Sequence, residues 1–457
     1  MKATLTELQA WVADSRITGS AAFDGVVTDS RTASAGNLFV ALKGERFDAH
    51  DFLADIAAKG VSAVVAAKVP DGFAVPALIV PDTRLALGEI ACNWRRRFDL
   101  PLIGVTGSNG KTTVKEMIAS ILASAFGDGN YLATRGNLNN DIGVPLTLFR
   151  LSAEHRAAVV ELGMNHVGEI AYLSSIAQPT VGLVNNAQRE HQEFMQSVRA
   201  VAEENGAVIR NLPMDGVAVF PADDAFASLW RSYAIDAGSR VVTFGLSRDA
   251  DVTGDYSPTA AGSDLALRVE GKSVPLRLSV PGLHNVRNAL AAAACCHAVG
   301  IGIDAIICGL ERFSSVNGRL QRKTAANGAA VIDDTYNANP DSVQAAIDVL
   351  AQAASPRILV LGDMGEVGQE GVRFHREAGA HAKSSGINHF FTLGQLASHA
   401  SEAFDGGAAH AENLDELMKL IKKVLTPAAT VLVKGSRFMK MERVVNDLVN
   451  QDIREHG

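Results

Sequence analysis

Leu5, Leu8 and Trp11 recur at helical spacing and predict a short amphipathic helix near the start of the chain. Residues 39–42, 63–66 and 77–80 are apolar runs of strand length, and helical or turn-rich stretches separate them. Residues 69–76, Val-Pro-Asp-Gly-Phe-Ala-Val-Pro, read as a loop in the same unit. A helical pattern ends near 95–101, where a first domain gives way to a second. From Leu102 onward, residues 102–106, 156–162 and 180–184 are continuous apolar runs alternating with helical patterns. Strands of that kind are buried on both faces, which predicts a mostly parallel sheet covered by helices. Residues 217–280 are richer in strands and turns, as if inserted in or appended to that sheet, and 283–299 form an Ala-rich buried helix. Past Gly318 the alternation restarts with strands at 329–332, 358–361, 389–393 and 430–433, and with helices after Pro340, Gln369, Leu414 and Met439. The expected fold class is α/β in three domains. Residues 1–98 form a small α/β domain, 99–318 a central mostly parallel sheet domain, and 319–457 a doubly wound, Rossmann-like domain.

Composition narrows the class. The 457 residues are 47 % hydrophobic and 20 % charged, enough to bury several cores, so a disordered chain is excluded. A formal charge of −8 disfavours a general nucleic-acid or anionic-membrane binder. Cys92, Cys295, Cys296 and Cys308 have neither zinc-ligand spacing nor disulfide-framework density, which suits a reducing compartment. The N-terminal residues lack a signal-peptide pattern, and the most apolar run, 289–296, is too short to span a bilayer. The expectation is a soluble, cytoplasmic, monomeric protein that binds no nucleic acid and does not insert in a membrane.

The chemistry begins at Gly104-Val-Thr-Gly-Ser-Asn-Gly-Lys-Thr-Thr113, which follows a buried strand and opens a helical pattern at Val114, Met117, Ile118, Ile121 and Leu122. Gly107 and Gly110 free the backbone to turn its N–H groups toward phosphate oxygens, and the helix start adds a partial positive charge. Ser108, Asn109 and Thr113 belong to the same cradle. Lys111 would reach the β- and γ-phosphates and Thr112 would hold Mg²⁺. The match to Gly-x-x-x-x-Gly-Lys-Ser/Thr is imperfect, because Val occupies 105 and the glycine sits at 107. ATP or GTP binding is expected. Metal ligands should then lie at neighbouring strand ends. Glu161 ends the 156–161 strand and His191 follows the 180–184 strand, although a solvated glutamate and a surface histidine are the ordinary readings of each alone.

The order Thr106–Thr113, Glu161, His191, His284-Asn-Val-Arg-Asn288 and Arg319 resembles the Mur ligases, three-domain ATP-dependent enzymes of peptidoglycan precursor synthesis. Asp333-Asp-Thr-Tyr-Asn-Ala-Asn-Pro-Asp-Ser342, Leu361-Gly-Asp-Met364, Val433-Lys-Gly-Ser-Arg437 and Met439-Lys-Met-Glu-Arg443 point within that family to the ligases that add a dipeptide to a nucleotide-linked tripeptide. Thr28-Asp-Ser-Arg31 and Leu38–Gly44, with Asp48 and His50, resemble the family's UDP-sugar-binding domain. The resemblance spans nearly the whole chain. It implies an ATP- and Mg²⁺-dependent ligase that joins D-alanyl-D-alanine to UDP-N-acetylmuramoyl-tripeptide through an acyl phosphate. Lys111, Glu161, His191 and Arg319 would be catalytic, and Thr112, Glu161 and His191 would lie at the metal. Asn285, Asn288, Arg319 and Asp334 would contact the nucleotide. By themselves Asn285 and Asn288 read as helix caps and Arg319 as a surface ion pair, and only the family order points them to the nucleotide.

One position departs from the family pattern. Many Mur ligases carry a carbamylated lysine after the histidine; counting from His191, Glu203 stands there, and no lysine occurs between Lys115 and Lys272. Glu203 is therefore expected either to supply a carboxylate to the metal or to sit on a solvated helix face. For substrates, Ser30 and Arg31 suit the uridine diphosphate, and Asn139 and Asn140, in the Asn-rich 137–141 segment, suit the reacting peptide. Asn337, Asn339 and Asp341 suit the incoming dipeptide, and Lys434 and Ser436 its carboxylate. Turn and helix-start roles compete for most of these. The rivals are folylpolyglutamate synthase, disfavoured by the 28–50 and 336–340 segments, and an ATPase switch or motor that needs no carboxylate or amine substrate.

Overall fold

Strands covered on both sides sort their side chains by parity, and this organises the central sheet. In the strand Leu102–Thr106, Leu102 joins one apolar cluster while Ile103 and Val105 join another. The strand Ala157–Glu161 divides the same way, Ala158 and Val160 against Ala157 and Val159. The structure, a computed structural model, describes residues 1–190, 192–259 and 262–450.

From one edge the central sheet runs Tyr131–Ala133, Ala157–Glu161, Leu102–Thr106, Val181–Val184, Val217–Pro221 and Arg240–Phe244, all parallel. Val252–Pro258 then continues into an antiparallel meander with Ser263–Val269 and Lys272–Leu278. The strand-rich stretch 217–280 thus extends the sheet rather than forming a separate layer. It also contains a helix, Ala227–Asp236, whose pattern is hard to read because Trp230 and Ala234 alone are buried. The helices Lys111–Phe126, Leu283–Ala298 and Ile303–Arg312 cover one face. Glu169–Ala177, Val198–Asn205 and Ala227–Asp236 cover the other.

The last portion repeats this logic. Gln321–Thr324 pairs antiparallel with Ala330–Asp334, which is followed by Thr430–Lys434, Arg357–Gly362, His389–Leu393 and Ala408–Ala411 in parallel. Ile332, Leu359 and Leu432 face helices Pro340–Ala351 and Gly371–Ser384. Val331, Ile358, Val360, Val431 and Val433 face Leu414–Val424 and Glu442–Val449. The helix Ser398–Phe404 and the strand Ala408–Ala411 complete this sheet, and their short, Ala-rich sequences give little periodic signal.

The first hundred residues build a five-stranded sheet in the order Arg16–Ile17, Ala77–Ile79, Ala63–Ala66, Leu38–Val40 and Val26–Val27. The helix Leu5–Trp11 begins with a capping box in which Thr4 and Glu7 satisfy each other's backbone N–H groups. Leu5, Leu38, Leu87 and Ile90 share an apolar cluster with Leu173 and Ile176, so this unit is welded to the central sheet through the helix Thr83–Arg95. Among the described residues no helix is long and apolar enough to cross a membrane, and the four cysteines are free thiols.

Register aligns the carboxyl ends of the central strands. Val184 lies opposite Thr106, and Glu161 lies opposite Val105. The segments that follow these strands therefore emerge at one sheet edge. The Lys111–Phe126 helix is seated there by close packing against Ile303–Arg312: a Cβ on Gly309 would stand 2.4 Å from Ile121 Cα. Replacing Gly309 by Ala should cost about 1–3 kcal/mol of stability by overpacking, measured by urea unfolding.

Candidate active site

The glycine-rich turn after Leu102–Thr106 folds tightly against two asparagine-bearing segments. Gly110 has φ +82°, and a Cβ there would stand 2.4 Å from Asn288 Oδ1 and 2.7 Å from Asn185 Nδ2. Glycine is required at this point both for the backbone and for the space. Gly110 also caps the helix Lys111–Phe126, whose first-turn N–H groups have no partner within the helix and give the turn its affinity for anions. Asn185 Nδ2 donates to Asn109 O at 2.7 Å and to Asn288 Oδ1 at 3.0 Å, and Asn186 Nδ2 donates to Asn109 O at 2.9 Å. Asn288 Nδ2 in turn donates to Asn285 Oδ1 at 3.2 Å, so these two asparagines brace the turn from the buried helix.

Charge is concentrated at the mouth of this turn. Lys111 Nζ donates to Gly107 O at 2.6 Å, Ser108 O at 3.1 Å and Glu190 Oε1 at 2.8 Å. The Thr112 hydroxyl accepts from Arg319 Nη2 at 3.0 Å and donates to Glu161 Oε1 at 3.2 Å. Asn139 Nδ2 donates to the same Glu161 oxygen at 2.9 Å. The Arg319 guanidinium lies 4.2 Å from the Tyr336 ring centre, which fixes its plane. Glu161 Oε2 is buried without a protein partner. A buried, unpartnered carboxylate oxygen beside a threonine hydroxyl is a hard-oxygen donor set, so these residues fit Mg²⁺. Among the described residues no cluster of three or more His, Cys, Asp or Glu side chains could hold a metal.

These groups line a cleft of about 1510 Å³ between the central and last sheets, with Glu45 and Arg84 of the first unit at its rim. Residues 108–113, Asn139, Asn140, Glu161, Asn285, Asn288, Arg319, Asp334, Asn337, Asn339, Asp341, Lys434 and Ser436 all line it. Several are engaged within the protein. Lys434 Nζ is buried and donates to Asp334 Oδ2 at 2.5 Å and Asn337 O at 2.9 Å. Asp334 Oδ1 accepts from Leu320 N at 3.1 Å. Ser436 Oγ donates to Ala338 O at 3.1 Å. Asn140 Oδ1 accepts from Gly143 N at 2.9 Å. Lys434 and Ser436 thus shape the 337–339 segment from beneath.

Three of the expected residues are not brought to this cleft. Ser30 and Arg31 lie on the first unit; Arg31 is exposed and grips Asp29, holding that carboxyl down to about 2 through side-chain and backbone hydrogen bonds. Glu203 is half-exposed on the helix Val198–Asn205 and pairs with Arg199 one turn back at 2.9 Å, which is the solvated-face alternative. Its neighbour Glu204 is the buried carboxylate, accepting from Gly168 N and Ile170 N. His191 lies outside the described residues. Conversely, Arg84 and Tyr336 line the cleft, and Arg189 bonds the lining residue Asp341, although none of the three was named as a site residue from sequence; Arg84 bonds Asp141 at 2.8 Å across the unit boundary. Arg189 lies in the same post-strand segment as His191, so topology marked its location, but its partner is 152 residues away.

With this geometry in hand, comparison with known proteins gives a consistent result. Residues 105–296 match the Mur ligase middle domain, 318–437 the Mur ligase glutamate ligase domain, and 22–95 the Mur ligase family catalytic domain. The UDP-N-acetylmuramoyl-tripeptide–D-alanyl-D-alanine ligase of Escherichia coli (strain K12) is 42% identical over 93% of both chains. The chain belongs to the Mur ligase family. The crystal structure of MurF from Acinetobacter baumannii superposes with a TM-score of 0.91 at 35% identity, covering 98% of this chain and 99% of that one. MurF ligase from Thermotoga maritima, solved in complex with ADP, gives 0.83 at 25% identity over 92% and 96%. Folylpolyglutamate synthase from Mycobacterium tuberculosis, at 18% identity, shares the fold alone. As a Mur ligase the chain is an ATP-dependent ligase.

His284 lies at the back of the cleft. Burial lowers its pKa to about 4, Lys434 adds to this, and Asp334 and Asp348 oppose it. The unfolded chain binds that proton near pH 6.5, so the unfolded state holds more protons between pH 6.5 and 4 and stability falls as pH drops through that window. At pH 5, relative to pH 7, His284→Gln should lose about 1–2 kcal/mol less than the parent, read from urea midpoints at the two pH values. Glu203→Gln should leave the Mg²⁺ dependence of turnover unchanged within twofold, measured by titrating Mg²⁺ at saturating ATP.

Proposed function

We propose that this Mur ligase joins D-alanyl-D-alanine to UDP-N-acetylmuramoyl-tripeptide with cleavage of ATP to ADP and phosphate, forming UDP-N-acetylmuramoyl-pentapeptide. The observation that carries the reading is the Arg319–Thr112–Glu161 hydrogen-bonded series, which meets Lys111 in the same cleft as the 337–341 segment. Residues 1–98 take the nucleotide sugar, with Ser30 and Arg31 toward the diphosphate. Residues 99–318 bind ATP, and 319–457 bring the dipeptide. The high identity to ligases of this name over nearly the full chain supports the choice of substrates.

The chemistry asks two anions to meet. The tripeptide's terminal carboxylate attacks the γ-phosphorus, and the bond to the ADP oxygen breaks. Lys111 and Arg319 supply fixed positive charge at the phosphate turn, so the oxyanions of the transferring phosphoryl group meet preorganised donors. Thr112, Glu161 and, on the family pattern, His191 would hold Mg²⁺, which would neutralise further phosphate charge. Asn139 fixes the Glu161 carboxylate through its hydrogen bond. Asn285, Asn288 and Asp334 contact the nucleotide. The dipeptide amine then attacks the acyl phosphate carbonyl, loses a proton, and inorganic phosphate leaves. Asn337 and Asn339 line the same cleft and would receive that amine. Four cysteines without disulfide-framework density support a cytoplasmic setting.

Phosphate release should require both the UDP-linked tripeptide and D-alanyl-D-alanine, and hydroxylamine should trap the activated tripeptide when the dipeptide is withheld. ATP turnover independent of both substrates would instead support the switch or motor reading. Lys111→Ala and Glu161→Gln should each lower kcat by about 10²- to 10³-fold, followed by phosphate release.

A further inference from the structure

Three consecutive residues after the strand Val181–Val184 join the two sides of the cleft, the outer two holding the phosphate turn and the middle one the last sheet. Gln188 Oε1 accepts from Asn109 Nδ2 of the phosphate turn at 2.6 Å. Glu190 receives Lys111 at 2.8 Å. Between them, Arg189 turns toward the last sheet. Its backbone N–H donates to Asp341 Oδ2 at 2.8 Å, and its Nε and Nη2 donate to Asp341 Oδ1 at 3.1 and 2.7 Å. Its Nη1 donates to Glu377 Oε2 at 2.8 Å, and its guanidinium lies 5.2 Å from the Phe374 ring centre. The Arg189 and Asp341 side chains are only 23 % and 22 % exposed, so this forked pair escapes most of the screening that weakens surface ion pairs. A second tie runs parallel to it: Asn339 Nδ2 donates to Asn109 Oδ1 at 2.8 Å while Asn109 Nδ2 donates back to Asn339 Oδ1 at 3.3 Å.

We propose that Arg189 is a positioning residue for the second substrate, fixing the 337–341 segment against the phosphate turn so that the incoming amine faces the activated carboxyl. The inference rests on the reading that this segment receives the dipeptide. Two physical effects follow from one contact. The fork sets the distance between the ATP-binding sheet and the start of the helix Pro340–Ala351, where an error of an ångström is costly for reacting groups. It also neutralises Asp341, whose bare carboxylate would otherwise hold the incoming amine as an unreactive ammonium.

Steady-state kinetics on Arg189→Ala, Arg189→Lys, Asp341→Ala and the Arg189→Ala/Asp341→Ala pair test this, with hydrogen exchange of the 337–345 amides as the structural readout. Arg189→Ala should raise the KM for D-alanyl-D-alanine about tenfold, leave the KM for ATP within twofold, and speed exchange at 337–345. Arg189→Lys, which keeps the charge and loses the fork, should recover part of the loss, and the double variant should be no worse than the poorer single one. Equal increases in the ATP and dipeptide constants, an unchanged dipeptide KM, or additive single effects would overturn the proposal. If Arg189→Ala folds poorly, an unchanged dipeptide KM in Arg189→Lys overturns it alone. Asn337→Ala separates the two readings. If it raises the dipeptide KM and Arg189→Ala does not, the clamp fails and the acceptor segment stands. If neither variant moves it, the acceptor reading fails and takes the clamp with it.

Discussion

The hydroxyl of Thr112 joins the two halves of the cleft by accepting from Arg319 and donating to Glu161. A hydroxyl can do both at once, and few other side chains could do so in this space. Through it a guanidinium from the last portion of the chain and a carboxylate from the central sheet are held at the start of the Lys111–Phe126 helix. Lys111 completes the arrangement from the same helix start. Without that balance of charges, a cavity that must hold several phosphate oxygens and a carboxylate would repel its own contents, and no amount of apolar packing elsewhere would compensate.

The fold exists to deliver these groups to one edge. Parallel strands in register end together, so the phosphate turn, Glu161 and the 185–190 segment emerge side by side although some eighty residues separate the first from the last. The last sheet, built the same way, presents its own strand ends, Asp334 and Lys434, to the opposite wall. Asparagines fill the seam: residues 109, 185, 186, 288 and 339 exchange amide hydrogen bonds with each other or with backbone. An amide carries both donor and acceptor without charge, which lets a polar seam close without adding to the charge already there.

The Lys434–Asp334 pair shows how a buried charge can shape a cleft through the residues it holds. Lys434 is buried, spends its charge on Asp334 and ties down Asn337. Its contribution is the shape of the segment above it. Glu203 illustrates the opposite case, where position along the chain suggests chemistry but the helix face turns the carboxylate to solvent and leaves Glu204 inside.

The sequence by itself determined the α/β class, the two helix-covered parallel sheets, the phosphate turn and the strand-end carboxylate at Glu161. Each of these is written in local pattern: unbroken apolar runs for strands buried on both faces, glycines where the backbone must turn, Lys-Thr at a helix start. The short Ala-rich strand at 408–411 and the helix at 227–236 escaped because their burial is decided by neighbours rather than by their own periodicity. Only the tertiary structure decided which polar residues meet. Arg189 finds Asp341 across 152 residues and Arg319 finds Thr112 across 207. A hydrogen bond depends on a fraction of an ångström and a direction in space, and chain order carries neither until two sheets have packed against each other.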